Sequence, residues 1–429
     1  MHILKNFKNF AAAKLNLLNP LTLMIGRNGA GKSNVIEAVE LLSQLAHGRP
    51  LYEITDVGRG GGSTFEVRGG LPGCVRINQL DEITGTDKFS LEFSATYKQT
   101  NFVYSITINL APQPKISNEE LRWGKRIVFS AKQGKREDIL DVQFDNFKKG
   151  GNKPFAHLPS DRSVLSRYES FANLDNSTQT QKDASNLVLI VERHLNAAFV
   201  FDLNPKQMRN YEQIGQSLLV KDGSNLSSVL YGLSQNNKQQ AVLSRILENI
   251  KQLPEEPLES FEFVQTKLND VILAFRRSDN SLADARLLSD GSLRTLAILT
   301  ALETVPKSSR IIIEEMDNGI HPSRVNMLVD YIWECSNRRK LNVLATTHNP
   351  ATLNCLSQDQ LRYVVLCYYD NESNTSCLTP LIDLPRADIL LERGNLGDLV
   401  TRRVLEQHLT PNFDEYHKRM AQAWLESLT

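Results

Sequence analysis

The chain has 429 residues, 41% of them hydrophobic, which is too many for one hydrophobic core and enough for more than one lobe. Its 49 basic and 49 acidic residues cancel, so global charge points to neither a nucleic-acid nor a membrane-surface protein. Five cysteines without Cys-x-x-Cys spacing argue against a zinc or redox site and fit a reducing cytoplasm. Lysines and asparagines break up the N-terminal apolar residues, and no apolar run reaches the ~18–20 residues of a membrane span.

Taken in chain order, "LTLMIGRNGAGKSNVIEAVELLSQL" predicts a strand, a Gly-rich turn and a helix with Val35, Ile36, Val39 and Leu42 on one face. From about residue 64 to 130, alternating runs such as "TFEVRGG", "VRINQL", "FSLEFSATY" and "FVYSITINLA" predict an antiparallel sheet. The glycines of "GRGGG", Gly58 to Gly62, read as a mobile loop. Between about 160 and 275 the pattern becomes helical, through "SNLVLIVERHLNAAF", "SNLSSVLYGLSQ", "KQQAVLSRILENIKQL" and "FVQTKLNDVILAF", without sustained heptads. Parallel-strand signals return in "RIIIEE" and "LNVLATTHN", with "RVNMLVDYIWEC" as the helix between them. The expected division is 1–155 for the first half of an α/β lobe with its β-rich insertion, 156–285 for a helical lobe, 286–385 for the second half of the α/β lobe, and 386–429 for a helical tail.

The segment "GRNGAGKS", Gly26 to Ser33, fits Gly-x-x-x-x-Gly-Lys-Ser in the strand-to-helix context that gives the motif its meaning. Gly29 and Gly31 let backbone N–H groups turn toward phosphate oxygens at a helix N-terminus. Lys32 then reaches the β- and γ-phosphates and Ser33 a Mg²⁺ ion, with Arg27, Asn28, Ala30 and Asn34 completing the expected nucleotide contacts. In "RIIIEEMDNGIHP" an apolar strand ends in two acids whose side chains alternate, so Glu314 is expected at the metal and Glu315 at the attacking water. His348 follows another apolar strand, at the edge where ligands of parallel sheets bind, and is expected at the γ-phosphate. The stretch "LLSDGSLRTLAIL" taken alone is a capped amphipathic helix beginning at Ser289 or Asp290.

Gly-Lys-Ser, Ser-Asp-Gly, apolar-Glu-Glu and Thr-His, in that order over positions 26 to 349, resemble the ATP-binding-cassette ATPases of the SMC/RecF type. The pattern is closer still to a bacterial "predicted ATPase" family. Ser289 to Arg294, Glu314 to Arg324, Thr346 to Pro350 and "DGSNLSSVL", Asp222 to Leu230, carry that likeness. The resemblance implies an α/β ATPase head with a β-rich insertion and a helical lobe, binding ATP and Mg²⁺. It also implies a homodimer or higher even oligomer in which Ser289 and Gly291 touch the γ-phosphate held by the partner subunit. A helix N-terminus with a free hydroxyl suits that task. Glu314 stands where the family more often has Asp, which lengthens the reach to the metal by one methylene and implies slow hydrolysis.

The insertion of about 250 residues lacks the heptads of a long-armed SMC clamp, and the stretch after His348 shows no nuclease pattern of the OLD type. The resemblance implies control of a separately encoded effector, a nuclease or toxin, in anti-phage defence. The alternatives are a RecF-like DNA-repair ATPase and an ATP-binding scaffold with little turnover. The hairpin-like "LRWGKRIVFSAKQGKRED" concentrates Arg122, Lys125, Arg126, Lys132, Lys135 and Arg136, which could track DNA phosphates. The balanced net charge favours a solvated hairpin instead.

Overall fold

The computed structural model describes residues 1–57, 65–76, 87–147, 152–172, 178–252 and 258–384, and then 387, 391, 394–402 and 404–405. The glycines at 58–62 lie outside the described residues, as do 77–80 of "VRINQL" and most of the tail from 386 onward; "TFEVRGG" is not part of the antiparallel sheet, since its only described strand, Phe65–Glu66, pairs parallel with Ile54–Thr55. The chain forms two interleaved units. One comprises Met1–Leu18, Asn28–Ala198 and Asn371–Leu378, the other Asn19–Arg27, Phe199–Asp370 and Thr379–Thr429.

The first unit is built on an eight-stranded antiparallel sheet in the order Phe155–Pro159, Ile139–Phe144, Arg126–Gln133, Lys115–Trp123, Thr100–Asn109, Lys88–Tyr97, His2–Phe7 and Phe10–Leu15. Its long strands alternate buried and more open residues, as a sheet with one covered face requires. The covered face carries Phe7, Phe89, Phe93, Phe102 and Tyr104, and the Phe93 ring stacks on His194 at 4.6 Å. His194 belongs to the helix Gln179–Asn196, which starts in a capping box between Thr178 and Gln181 and buries Ala184, Leu187, Val188 and Val191. Glu119 lies fully buried in this unit. Its carboxylate accepts from Ser163 Oγ at 2.8 Å, Tyr104 Oη at 3.0 Å and the amides of Val164 and Leu165 at 2.7 and 2.8 Å. Lys115–Trp123 and Arg126–Gln133 form the expected basic hairpin, with Trp123 opposite Arg126 across a turn through Gly124.

The second unit holds a mostly parallel sheet through Ala198–Phe201, Arg310–Ile313, Asn342–Thr347, Thr22–Ile25 and Val364–Asp370. Strands Arg310–Ile313 and Thr22–Ile25 are buried along their whole length, which explains the runs of three apolar residues that follow Arg310 and Thr22. The helices Leu226–Gln235, Gln240–Ile250, Asp290–Thr304 and Pro322–Arg339 contribute to the same core. The fold is thus a mixed α/β one. Among the described residues no helix exceeds 18 residues, so there is no long coiled coil, and none is long and apolar enough to cross a membrane.

The stretch 156–285 departs from an all-helical reading. "FVQTKLNDVILAF" is not a helix but the end of strand Leu258–Gln265, a turn, and strand Asp270–Arg277, with Gln265 opposite Val271. Asn269 takes a left-handed φ of 65° at the turn, and Thr266 Oγ1 accepts from the amides of Leu268 and Asp270 at 3.2 Å. Val271 to Phe275 are all buried, so the run is apolar on both faces of a strand and mimics helical spacing.

One buried charge ties three helices of this unit together. Glu303 of Asp290–Thr304 accepts from Tyr331 Oη at 2.7 Å, from Arg245 at 3.2 Å and from Arg338 at 2.5 Å. Burial pushes the Glu303 carboxyl up, but the hydrogen bonds from Arg245, Tyr331 and Arg338 outweigh it and hold the group below its ordinary value. Glu303→Gln should cost about 2–3 kcal/mol, at the low end for a broken buried pair because both arginines are partly exposed. Because the folded carboxyl is the stronger acid, its contribution is present above the ordinary value of 4.5 and is lost as pH falls through the lower folded value. Urea denaturation of both proteins at neutral pH and below pH 4 checks this: the gap between them should close in acid.

Candidate functional site

Three parallel strands of the second unit leave their sheet at one edge. Ile313 lies opposite Ala345, and Thr347 opposite Ile25, so the residues that follow each strand are brought together. These are Glu314 and Glu315, then His348, then Gly26 and Arg27. The carboxyl edge of parallel strands is where α/β proteins place ligands.

At the first exit, the Glu314 amide donates to the Phe201 carbonyl at 3.0 Å, which completes the strand's pairing. The next amide does not continue the ladder. Glu315 N–H donates to Thr346 Oγ1 at 2.9 Å, and Met316 N–H to the Thr346 carbonyl at 3.1 Å. Glu315 accordingly takes a left-handed φ of 47°, uncommon for a residue with a side chain. The two acids therefore do not alternate along a strand as the sequence suggests; they sit in a turn, because the Thr346 hydroxyl captures the Glu315 amide. The Glu315 carboxylate also accepts from Asn318 Nδ2 at 3.2 Å, and its Oε1 lies 3.7 Å from His348 Nδ1. Glu315 and His348 are thus side by side, 39% and 52% exposed.

Asp317, which sequence reading passed over, anchors this turn. Its buried carboxylate accepts from the hydroxyls of Thr347, at 2.5 Å, and Thr352. The available signal was the third acid in "EEMD" together with the threonines of "TTHNPAT".

The glycines of the phosphate-loop motif have distinct causes. A Cβ on Gly26 would overlap the Cys367 carbonyl of the adjacent strand, so this glycine answers to the sheet. Gly29 has open space around it and a φ of 81°, so it answers to backbone conformation. Arg27, Asn28 and Gly29 are exposed. The loop passes into the first unit at Asn28, where Gly31 caps the helix Lys32–Ala46 at φ 114°. The Ala30 carbonyl accepts from Ser376 Oγ at 2.6 Å, and Asn34 Nδ2 donates to Asn9 Oδ1 at 2.7 Å while its own Oδ1 accepts from Arg68 at 3.1 Å. Asn34 is thereby committed to fixing the helix start. Lys32 is buried and Ser33 half-buried at its first turn.

Ser289 caps the helix Asp290–Thr304: its Oγ accepts from the Ser292 amide at 3.1 Å and shares a 2.8 Å hydrogen bond with Ser292 Oγ. The hydroxyl is not free, since the unpaired amides of a helix start need acceptors. Arg209 secures the same end, donating to the Leu288 carbonyl at 2.8 Å and to Asp290 at 2.6 Å. Gly291 is buried, and a Cβ there would overlap the carbonyl oxygen of Gly319, in the turn that follows the acids.

The profile of the family described as "AAA domain, putative AbiEii toxin, Type IV TA system" matches residues 21–354. An ATP/GTP phosphatase of Helicobacter pylori is 22% identical over 83% of this chain and 86% of its own. The DNA replication and repair protein RecF of Rhizobium etli is 45% identical over 80 residues, and the chain spans 17% of itself and 21% of RecF in that match. Among solved structures, the SMC head domain from Thermotoga maritima is 11% identical, with a TM-score of 0.42 over 88% of this chain and 97% of that one.

The contact between Gly291 and Gly319 predicts that Gly291→Ala destabilises the chain by about 1–3 kcal/mol, the cost of overpacking against backbone. Thermal unfolding without nucleotide should show it. An unchanged melting temperature would remove the packing role.

Proposed function

The chain belongs to the AAA-domain family described as putative AbiEii toxin of a type IV toxin–antitoxin system, and from that membership we propose that it is an ATPase whose nucleotide-bound form pairs with a second copy and controls a separately encoded effector. The observation that carries the reading is the common edge of the parallel sheet, where the start of the phosphate loop, the acid pair and His348 leave neighbouring strands. Family membership implies ATP as ligand. The H. pylori relative, named for phosphatase action on ATP or GTP, supports turnover. The setting in anti-phage defence rests on the likeness of the motifs.

In this reading Gly26 to Ser33 cradle the phosphates, with Lys32 on the β- and γ-oxygens. Glu315 orients the water that attacks the γ-phosphorus. Its left-handed backbone and its contacts to Thr346, Asn318 and His348 preset its position before substrate arrives. His348, beside it, contacts the transferring phosphoryl group. The Ser33 hydroxyl and the Glu314 carboxylate are hard oxygen donors of the kind Mg²⁺ takes, and among the described residues no cluster of three or more His, Cys, Asp or Glu forms a cage for a metal. Ser33 and Glu314 are the residues that would hold such an ion, and when bound it would supply charge neutralisation on the phosphates. The signature turn at Ser289 and Gly291 meets the second copy's nucleotide with its helix N-terminus; since the Ser289 hydroxyl already caps the helix, the backbone contributes most of that contact.

The RecF matches favour a second reading, an ATPase that binds DNA. The basic hairpin is its candidate surface, though Arg122 pairs with Glu120 at 2.6 Å and Arg126 lies 3.8 Å from Asp145, which lowers the charge available. Duplex binding that weakens steeply from 0.05 to 0.2 M salt, roughly tenfold or more, would favour it over effector control.

Two outcomes test the main reading. Glu315→Gln should retain ATP binding, lose turnover and accumulate as an ATP-bound dimer in sedimentation; hydrolysis at the parental rate would remove Glu315 from its role. Chains carrying Lys32→Ala and Ser289→Arg should each be inactive, yet their mixture should recover up to about a quarter of parental turnover, since half of random dimers are mixed and each retains one intact composite site. A mixture as inactive as its components would argue against sites shared between copies.

A further inference from the structure

Asn9 belongs to none of the sequence motifs, yet its side chain is engaged by the phosphate loop and its supports. Phe7 pairs with Phe10 across a two-residue turn, with Lys8 at a left-handed φ of 50°, and both rings are buried, so Lys8 and Asn9 are presented at a hairpin tip. Asn9 Nδ2 donates to Ser376 Oγ at 2.6 Å and to the Ala30 carbonyl at 3.4 Å. Ser376, fully buried, donates its own hydroxyl to the same carbonyl at 2.6 Å. The main chain repeats the connection: the Asn9 carbonyl accepts from the Ser376 amide at 2.8 Å and from Thr375 Oγ1 at 3.0 Å. A Cβ on Gly31 would lie 2.8 Å from Asn9 Nδ2, so the Asn9 amide rests directly against the loop.

The direction of these hydrogen bonds is fixed from one end. Arg68 can only donate, and its Nη2 donates to Asn34 Oδ1 at 3.1 Å, so Asn34 must turn its Nδ2 toward Asn9. Asn34 Nδ2 donates to Asn9 Oδ1 at 2.7 Å, which turns Asn9 Nδ2 toward Ser376 and Ala30. The Ser376 hydroxyl proton is then left for the Ala30 carbonyl. Donation runs one way, from a guanidinium through two side-chain amides and a hydroxyl to the backbone, and bonds aligned in this way strengthen one another. Glu37 holds the origin of the chain, accepting from Arg68 Nε at 2.5 Å and pairing with Lys8 of the hairpin tip.

In a trans peptide the C=O and the N–H that follows it point in opposite directions, so two donors on the Ala30 carbonyl also set where the Gly31 N–H points. We propose that Asn9 is a positioning residue: together with Ser376 it turns the Ala30–Gly31 peptide so that the Gly31 N–H faces the phosphates before nucleotide arrives. The loop is thereby preorganised, and binding does not have to order that peptide. The inference rests on the phosphate-binding reading of Gly26 to Ser33 for its consequence, but not for the hold on the peptide itself.

The test uses the full chain with Asn9→Ala, Asn9→Asp and Ser376→Ala. Asn9→Asp keeps the size of the side chain and the acceptor for Asn34, but puts an acceptor where Nδ2 was, so the Ser376 hydroxyl turns to it and leaves Ala30. In titrations with ADP each variant should raise Kd about tenfold, the order of one lost hydrogen bond, with Asn9→Asp at least as weak as Asn9→Ala. The double variant of Asn9→Ala with Ser376→Ala should bind no more than about twofold more weakly than the worse single one, since both act on one peptide. Without nucleotide, the Val35 amide, which donates to the Gly31 carbonyl at 3.1 Å, should exchange about tenfold faster in all three, with the helix Gln179–Asn196 unchanged. Exchange without nucleotide also separates the effect from simple repulsion of phosphates by the added charge. Parental Val35 exchange in Asn9→Asp and Ser376→Ala would overturn the hold whether or not the chain binds nucleotide. Faster exchange throughout the chain, or Asn9→Asp milder than Asn9→Ala, would overturn it too, by reducing Asn9 to packing. Faster Val35 exchange with parental ADP affinity would overturn the preorganisation. Faster Val35 exchange in a protein whose parental form binds no ADP would uphold the hold and refute the phosphate-binding reading alone.

Discussion

The second unit depends on the parallel register of Arg310–Ile313, Asn342–Thr347 and Thr22–Ile25. Parallel strands point their carboxyl ends the same way, so three chain exits that lie far apart in sequence become neighbours along one edge. Each exit must then dispose of backbone groups that the ladder no longer pairs. The middle strand supplies the means: Thr346 takes two amides of the acid turn, through its hydroxyl and its carbonyl, and Thr347 takes Asp317. Replacing either threonine by valine would keep the strand's shape and strip the turn of a partner.

The glycines show how closely the backbones approach at this edge. Gly26 lies under the Cys367 carbonyl and Gly291 under the Gly319 carbonyl, so two motif glycines are demanded by protein–protein contact within one chain before any ligand is considered. Only Gly29, exposed and left-handed with nothing near it, has the character of a residue kept for backbone conformation alone. Substitutions at the first two positions perturb the scaffold together with whatever they do to a nucleotide. Gly29 is the cleaner probe.

What was legible from sequence was what local pattern encodes. The strand, loop and helix around Gly26 to Ala46, the basic hairpin, the strand before Glu314 and the cap at Ser289 all follow from runs of a few residues whose period or turn chemistry is distinctive. The failures have the opposite character. Asp317 matters because of threonines 30 and 35 residues further on, and Gly291 because of a carbonyl in another turn. The hairpin over 258–277 was hidden because five consecutive buried residues satisfy helix and strand alike. The left-handed Glu315 could not be foreseen, since nothing in the residue itself favours that conformation; a neighbouring strand's hydroxyl imposes it.

The interleaving of the two units bears on how the chain is made. Thr22–Ile25 leaves the ribosome early, yet its partner Asn342–Thr347 follows more than three hundred residues later. At cellular elongation rates that delay is about 15–60 s, during which a strand that is fully buried in the native fold has no native neighbour on either side. The antiparallel sheet of the first unit, by contrast, pairs mostly consecutive strands and can close while synthesis continues. Nascent chains should therefore carry a folded N-terminal sheet together with an unpaired apolar segment whose time of exposure lengthens as translation slows.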